Sequence, residues 1–244
     1  MKSNRDSISL NKYISDTGFC SRREADRLIE SGRVKLNDEL AQKGNRVNSG
    51  DQVTVDGKLV TSADKKKRVY IALNKPPGIV STTDRNVKGN IVDFVNYPER
   101  IFHIGRLDKP SEGLILLTND GNIVNKILRA GNAHEKEYIV SVNKPVSNAF
   151  LKKMASGVPI LDTVTLPCYI EKTGTHSFRI ILIQGLNRQI RRMCEVLRYE
   201  VTRLQRIRIM NIQLGNLPVG KWRKLSEKEI NILMHLLKDS EKNL

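Results

Sequence analysis

GRLDKPSEGLILLTNDG, residues 105–121, sets one aspartate, Asp108, between two cations and a run of apolar residues. Arg106 and Lys109 flank it, and Gly113 with Leu114 to Leu117 predicts a buried strand that holds the carboxylate at its edge. Nearby cations favour the ionised form while partial burial opposes it, so such a carboxylate stays charged and yet sheds part of its water shell. A group in that condition can form a covalent intermediate. Arg106 lies two residues before Asp108, which on a strand would turn both side chains to one face. The same residues also read as a surface turn with a solvated acid.

The rest of the chain supplies a setting for that acid. Its 244 residues suffice for one domain of ordinary size plus a small one. A balance of 42 Lys and Arg against 26 Asp and Glu gives a formal charge of +16, which points to a polyanionic partner, nucleic acid first. The basic residues are spread through folded-looking segments rather than gathered on one amphipathic helix, and no apolar run is long enough to span a bilayer. The first ten residues lack the apolar core of a signal peptide. Cys20, Cys168 and Cys194 are three, widely separated and without a CxxC pair, so neither a disulfide framework nor a zinc site is expected. His103, His134, His176 and His235 are not spaced as a ligand set. A cytoplasmic, monomeric protein without metal or other cofactor is expected.

Residues 8–55 read as a compact unit. Leu10, Tyr13 and Ile14 stand at helical spacing, Gly18 breaks the pattern, and Ser21 with Glu24 three residues on predicts a capping box opening a second helix. Ala25, Leu28 and Ile29 form its apolar face, with Arg22, Arg23, Arg27 and Arg33 around it. Short alternating segments at Val34, Leu36, Val47, Val53 and Val55, separated by Asn37-Asp38, Gly44-Asn45 and Gly50-Asp51, predict a small strand pair. Two helices with exposed arginines beside such a pair suit an RNA-binding module, although the arginines alone also fit a solvated helix face. A lysine-rich linker is expected over residues 61–68. Beyond it, residues 69–73 predict a strand ended by the turn Asn74-Lys75-Pro76-Pro77-Gly78. Strands are expected at 138–142 and 178–183, and helices at 187–197 and 227–237. Between residues 198 and 224, Arg203, Arg206, Arg208, Lys221, Arg223 and Lys224 face only Glu200, which predicts an extended basic surface.

Three motifs carry a resemblance. Residues 105–121 resemble the catalytic segment of RNA pseudouridine synthases, an arginine, a leucine and the catalytic aspartate followed by a glycine, leucines and Thr-Asn-Asp-Gly. Lys136 to Tyr138 in HEKEYIV resembles that family's second motif, and QGLNRQIRRMCEVL, residues 184–197, its Gln-Ile-Arg-Arg-Met motif. Residues 10–38 and the closing GDQVTVDG resemble an S4 domain. The whole is similar to the bacterial ribosomal-RNA pseudouridine synthases with an N-terminal S4 domain. That resemblance implies an α/β (α+β) protein: an S4-like RNA-binding domain at 7–60, a linker at 61–68, and a catalytic domain at 69–240 on a mostly antiparallel mixed sheet. It implies Asp108 as nucleophile or base, Arg106 in the space the target base vacates, and Tyr138 as stacking face or proton carrier. It also implies that Arg191 pairs with Asp108, that Arg188 and Arg192 lean toward RNA, and that Arg22, Arg23 and, more distantly, Arg27 contact RNA backbone. Which of the three arginines of the third motif meets Asp108 is a matter of register. The implied substrate is a uridine in a stem-loop of 23S ribosomal RNA, with a tRNA hairpin as a second candidate, and no cofactor is implied.

Two other readings compete. His103-Ile104-Gly105-Arg106 nearly spells the HIGH signature of class I aminoacyl-tRNA synthetases, but the last histidine and a KMSKS-like loop are absent. An S4-linked methyltransferase lacks a GxGxG loop after a strand. The alternative from another class is a non-catalytic RNA-binding or ribosome-assembly factor. Against it, an acid in a basic RNA groove lowers affinity unless it reacts.

Overall fold

The computed structural model describes residues 7–61 and 68–240. The chain divides into two compact units, Met1–Arg68 and Val69–Leu244. Most of the expected linker, residues 62–67, lies outside the described residues.

In the first unit the helices Leu10–Asp16 and Arg22–Glu30 bury Leu10, Ile14, Ala25, Leu28 and Ile29 against Val34, Val47, Val53 and Val55. Gly18, at φ 82°, turns the chain between them. The Ser21 side chain accepts from the Glu24 amide at 3.0 Å, half of the expected capping box. A complete box closes instead at Ser226 and Glu229, at the start of the helix Glu227–Leu236. The expected strand pair is larger: a four-stranded sheet in the order Glu39–Leu40, Val34–Leu36, Val53–Val55, Lys58–Leu59, with a separate pair Ile8–Ser9 and Arg46–Val47. Asn37 and Asp38, both at positive φ, make the tight turn into Glu39–Leu40.

The second unit is built on a nine-stranded sheet. Its main path runs Tyr169–Gly174, Ser177–Leu182, Lys136–Val142, Val201–Ile209, Glu112–Thr118, Tyr70–Lys75, Trp222–Lys224. Phe102–Ile104 and Ile212–Gln213 add to it at the sides. All pairings are antiparallel except one, Val201–Ile209 against Glu112–Thr118, where Gln205 faces Glu112 and Arg206 faces Gly113. The sheet is mixed and mostly antiparallel, and its single parallel junction lies near the middle. Both faces are covered. Ile71, Leu73, Ile115 and Leu117 join one core with Val140, Phe178 and Met193, while Tyr70, Ala72, Leu114 and Leu116 join another with Ile212 and Leu233. Burial on both faces explains the unbroken apolar run Leu114 to Leu117.

Two expectations fail here. Asn74 and Lys75 do not begin a turn; they complete the strand Tyr70–Lys75, opposite Leu114 and Gly113. Their side-chain donors find acceptors in place, the Asn74 amide at Leu217 O at 2.7 Å and the Lys75 ammonium at Pro76 O and Ile79 O at 2.9 Å each. The strand ends at Pro76, which has no amide hydrogen to give. The second failure concerns the basic surface of residues 198–224. Arg203 pairs with Glu112, Arg208 with Glu135 and Glu137, Arg223 with Glu229, and Arg206 is buried. The acids that neutralise this stretch come from elsewhere in the chain.

Candidate active site

Asp108 lies in a loop, not on a strand. Phe102–Ile104 ends before it and Glu112–Thr118 begins after it, so the expected strand alternation of Arg106 and Asp108 does not apply. The loop is nevertheless held at nearly every residue. His103 Nδ1 meets Gly105 O at 2.7 Å. The Leu107 amide donates to Ser81 Oγ at 3.2 Å, and Ser81 Oγ donates back to Leu107 O at 2.7 Å. The Gly78 amide donates to Lys109 O at 2.8 Å, and the Ser111 amide to Asp108 O at 2.9 Å. The fully buried Lys75 ammonium lies beneath, reaching Lys109 O at 3.4 Å. Burial brings Lys75 down to about 8, with the Asp108 charge pulling it back up. The backbone that carries the Asp108 carboxylate is thereby fixed before substrate arrives.

Asp108 opens onto a cleft of about 480 Å3, lined also by Leu204 and Arg206 of one of the two strands that make the parallel junction. Arg106, Tyr138, Arg188 and Arg191 line the same cleft, so five side chains from three separate stretches of sequence converge there. Tyr138 is buried in the strand Lys136–Val142. Arg106 is exposed, and neither it nor Asp108 enters a side-chain ion pair among the described residues. Arg191, buried in the helix Gln189–Val196, donates to Ser111 Oγ at 3.0 Å and to Val201 O at 3.2 Å rather than to Asp108. Its coupling to Asp108 therefore runs through field and through Ser111. Burial, then Arg188, pulls the Arg191 guanidinium down, and Asp108 opposes the change.

The third motif's arginines part company. Arg188, in a left-handed conformation at φ 50°, caps the helix and lines the open cleft, whereas Arg192 turns back on Asn187, 3.1 Å from its carbonyl and 3.2 Å from Oδ1. The side chains of Arg22, Arg23 and Arg27 are exposed on the first unit's second helix.

The sequence reading assigns no site role to Lys75, Ser81, Lys136 or Arg206, although Lys136 stands in the second motif and Arg206 in the expected basic stretch. Lys136 and Arg206 line the cleft while being buried. A charged residue inside a β-prone run was the available signal. Among the described residues no group of three or more His, Cys, Asp or Glu is placed to hold a metal ion.

Comparison with known proteins agrees with this geometry. A family profile described as RNA pseudouridylate synthase matches residues 69–196, and the S4 domain profile matches residues 9–53. The dual-specificity RNA pseudouridine synthase RluF of Escherichia coli K12 is 56% identical over 234 residues, 96% of this chain and 81% of the relative. The ribosomal large subunit pseudouridine synthase B of Bacillus subtilis is 34% identical over 243 residues, 96% of this chain and 98% of the relative. Among solved structures, a crystal structure of a pseudouridylate synthase superposes with a TM-score of 0.69 at 28% identity, covering 93% of this chain and 99% of the other.

Proposed function

We propose that this chain, which belongs to the RNA pseudouridylate synthase family and isomerises uridine to pseudouridine in RNA, uses Asp108 as its reacting carboxylate on a uridine in a stem-loop of 23S ribosomal RNA. The observation that carries the assignment is the charge pattern of the cleft: among the described residues that line it, Asp108 is the one carboxylate, set among Arg106, Lys136, Arg188, Arg191 and Arg206. The reaction breaks the N1–C1′ bond, turns the detached uracil and joins C5 to C1′, releasing the C5 proton. Three routes need a carboxylate at this place: addition to the ring, displacement at the anomeric carbon, and removal of a ribose proton. Each calls for an ionised oxygen facing a nucleotide taken out of its stack.

The remaining residues divide the work. Arg106, long, exposed and outside any ion pair among the described residues, fills the gap left by the flipped base. Tyr138 gives that base a stacking face worth roughly 1–3 kcal/mol and a hydroxyl for proton transfer. Arg191 fixes the loop through Ser111. Arg188 reaches RNA phosphate at the rim, and Arg192 steadies the Asn187 turn beside it. Arg22, Arg23 and Arg27 add sequence-independent phosphate contacts. A ribosomal substrate is supported by a relative named for the large subunit, and a second RNA, such as a tRNA hairpin, by relatives named dual-specificity. We further infer a cytoplasmic monomer. Among the described residues no helix is long and apolar enough to cross a membrane. A binding-only clamp has no use for Asp108 in this groove.

The test is tritium release from 5-tritiated uridine in unmodified 23S RNA. Wild type releases tritium and Asp108→Asn does not. Equal release by both would remove Asp108 from the chemistry.

A further inference from the structure

We propose that Lys136 and Arg206 form a cationic seat in the cleft floor that takes the negative charge developing on the uracil ring, a role that rests on the reading of the Asp108 cleft as the reaction site. Lys136 and Tyr138 are two residues apart on one strand and both line the cleft. Arg206 stands directly opposite Tyr138 on the next strand and lines it too. Glu137, between them, turns to the other face, where Arg179 and Arg208 take its two oxygens at 2.6 Å each. The strand's own carboxylate is thus consumed behind the sheet and leaves the two cations unbalanced.

Both cations are nearly buried in the cleft wall, Lys136 at 6% exposure and Arg206 at 3%. The Lys136 ammonium donates to His134 O at 2.9 Å. Arg206 Nε donates to Leu114 O at 2.6 Å and Nη1 reaches Arg106 O at 3.5 Å, while Nη2 is buried with no hydrogen-bond partner. Neither forms an ion pair among the described residues. Burial, then the neighbouring Arg206, brings Lys136 down to about 8. Buried cations side by side destabilise a fold unless an anion meets them, and a buried donor without a partner calls for one.

The chemistry supplies the anion. When N1–C1′ breaks, its electron pair stays on the uracil and is delocalised over N1, O2 and O4. If Asp108 adds to the ring first, the charge appears on O4 instead. Either way it resides on ring oxygens of a base stacked at Tyr138, beside Lys136 and Arg206. RNA phosphates are a poorer fit for this floor, because the exposed Arg188 meets them earlier at the rim. Donors fixed where charge develops bind the reacting state more tightly than uridine itself, which raises the chemical rate and leaves binding unchanged.

The experiment compares wild type, Asp108→Asn, Lys136→Met and Lys136→Arg in single turnover at saturating enzyme, on 23S transcripts carrying uridine or 5-fluorouridine. Nuclease digestion, chromatographic separation and mass spectrometry follow loss of the starting nucleoside at the target position, since pseudouridine has uridine's mass and 5-fluorouridine, with no C5 proton to lose, ends as a product that keeps its fluorine. Fluorine withdraws electrons and stabilises the detached ring anion, so less help from the protein is required. Lys136→Met should slow uridine conversion by about 100-fold or more, slow 5-fluorouridine conversion less, and bind RNA with wild-type affinity. Lys136→Arg should retain most of the rate. Equal losses on both substrates, with Lys136→Arg as slow as Lys136→Met, would make Lys136 structural and overturn the proposal, as would undiminished rates in Lys136→Met. If Lys136→Met melts early, Lys136→Gln carries the same comparison. Conversion by wild type but not by Asp108→Asn upholds the site whatever Lys136 does; conversion by neither overturns both.

Discussion

Ser111 connects the two residues on which the chemistry depends. Its amide closes the turn on Asp108 O and its hydroxyl takes a hydrogen from the buried Arg191. Arg191 Nε already lacks a partner, so removing the hydroxyl would leave a second nitrogen of the same guanidinium unsatisfied. Ser111→Ala should therefore lower stability by about 1–3 kcal/mol and slow single-turnover conversion, with RNA affinity unchanged; Ser111→Thr, which retains the hydroxyl, should recover most of the rate in the same assay. Lys75 gives a prediction in pH. It releases its proton near 8 in the folded protein and near its ordinary 10.5 in the unfolded chain. Between those values the unfolded chain binds more protons, so stability rises with pH. Urea titrations should show the advantage of wild type over Lys75→Met smallest below about pH 8 and widening toward 10.5. A gap that is constant across that range would mean that Lys75 keeps an ordinary pKa in place. Asp108 was legible because a recognisable run surrounds it. Lys75 and Ser81 were not, since their contacts to that run come from the far side of the loop.

At the scale of elements, the critical contact is the parallel junction of Val201–Ile209 with Glu112–Thr118. Gly113 sits at φ 103°, and a Cβ built there would lie 2.3 Å from Arg206 O. Backbone occupies the space a side chain would need, and the torsion angle is one that other residues adopt at a cost. Gly113→Ala should destabilise by about 3 kcal/mol or more, from overpacking and strain combined. Gly185, with nothing within 4 Å of its Cβ position, is the control, and Gly185→Ala should stay within about 0.5 kcal/mol. Matching denaturation midpoints for the two variants would contradict this account. Local pattern revealed most strands and helices, because periodicity and capping are local signals. It missed the strand residues Asn74 and Lys75, whose low β propensity is overridden by pairing and by carbonyls supplied from other segments. It also misjudged Arg203, Arg208 and Arg223 as free cations, since Glu112, Glu135, Glu137 and Glu229 become their partners only on folding.

For the molecule as a whole, the net charge of +16 predicts a polyanionic partner but not where that charge acts. Folding sorts it into three populations. Some arginines are cancelled by distant acids, as above. A second group, Lys136, Arg191 and Arg206, is buried around the cleft and addresses the reacting nucleotide. The third is exposed and without ion-pair partners among the described residues, and Arg22, Arg23 and Arg27 on the S4 helix belong to it. Only this third population can release counterions from RNA without touching the reaction. The combined variant Arg22→Ala, Arg23→Ala, Arg27→Ala should therefore bind 23S RNA more weakly, and its affinity should depend less steeply on salt, by roughly 0.9 in log–log slope for each phosphate no longer neutralised. Its single-turnover rate at saturating enzyme should match wild type, since the Asp108 cleft lies in the other compact unit. A collapse of that rate with an unchanged salt slope would show that the S4 helix serves catalysis rather than affinity, and the division of the cations into separate populations would have to be redrawn.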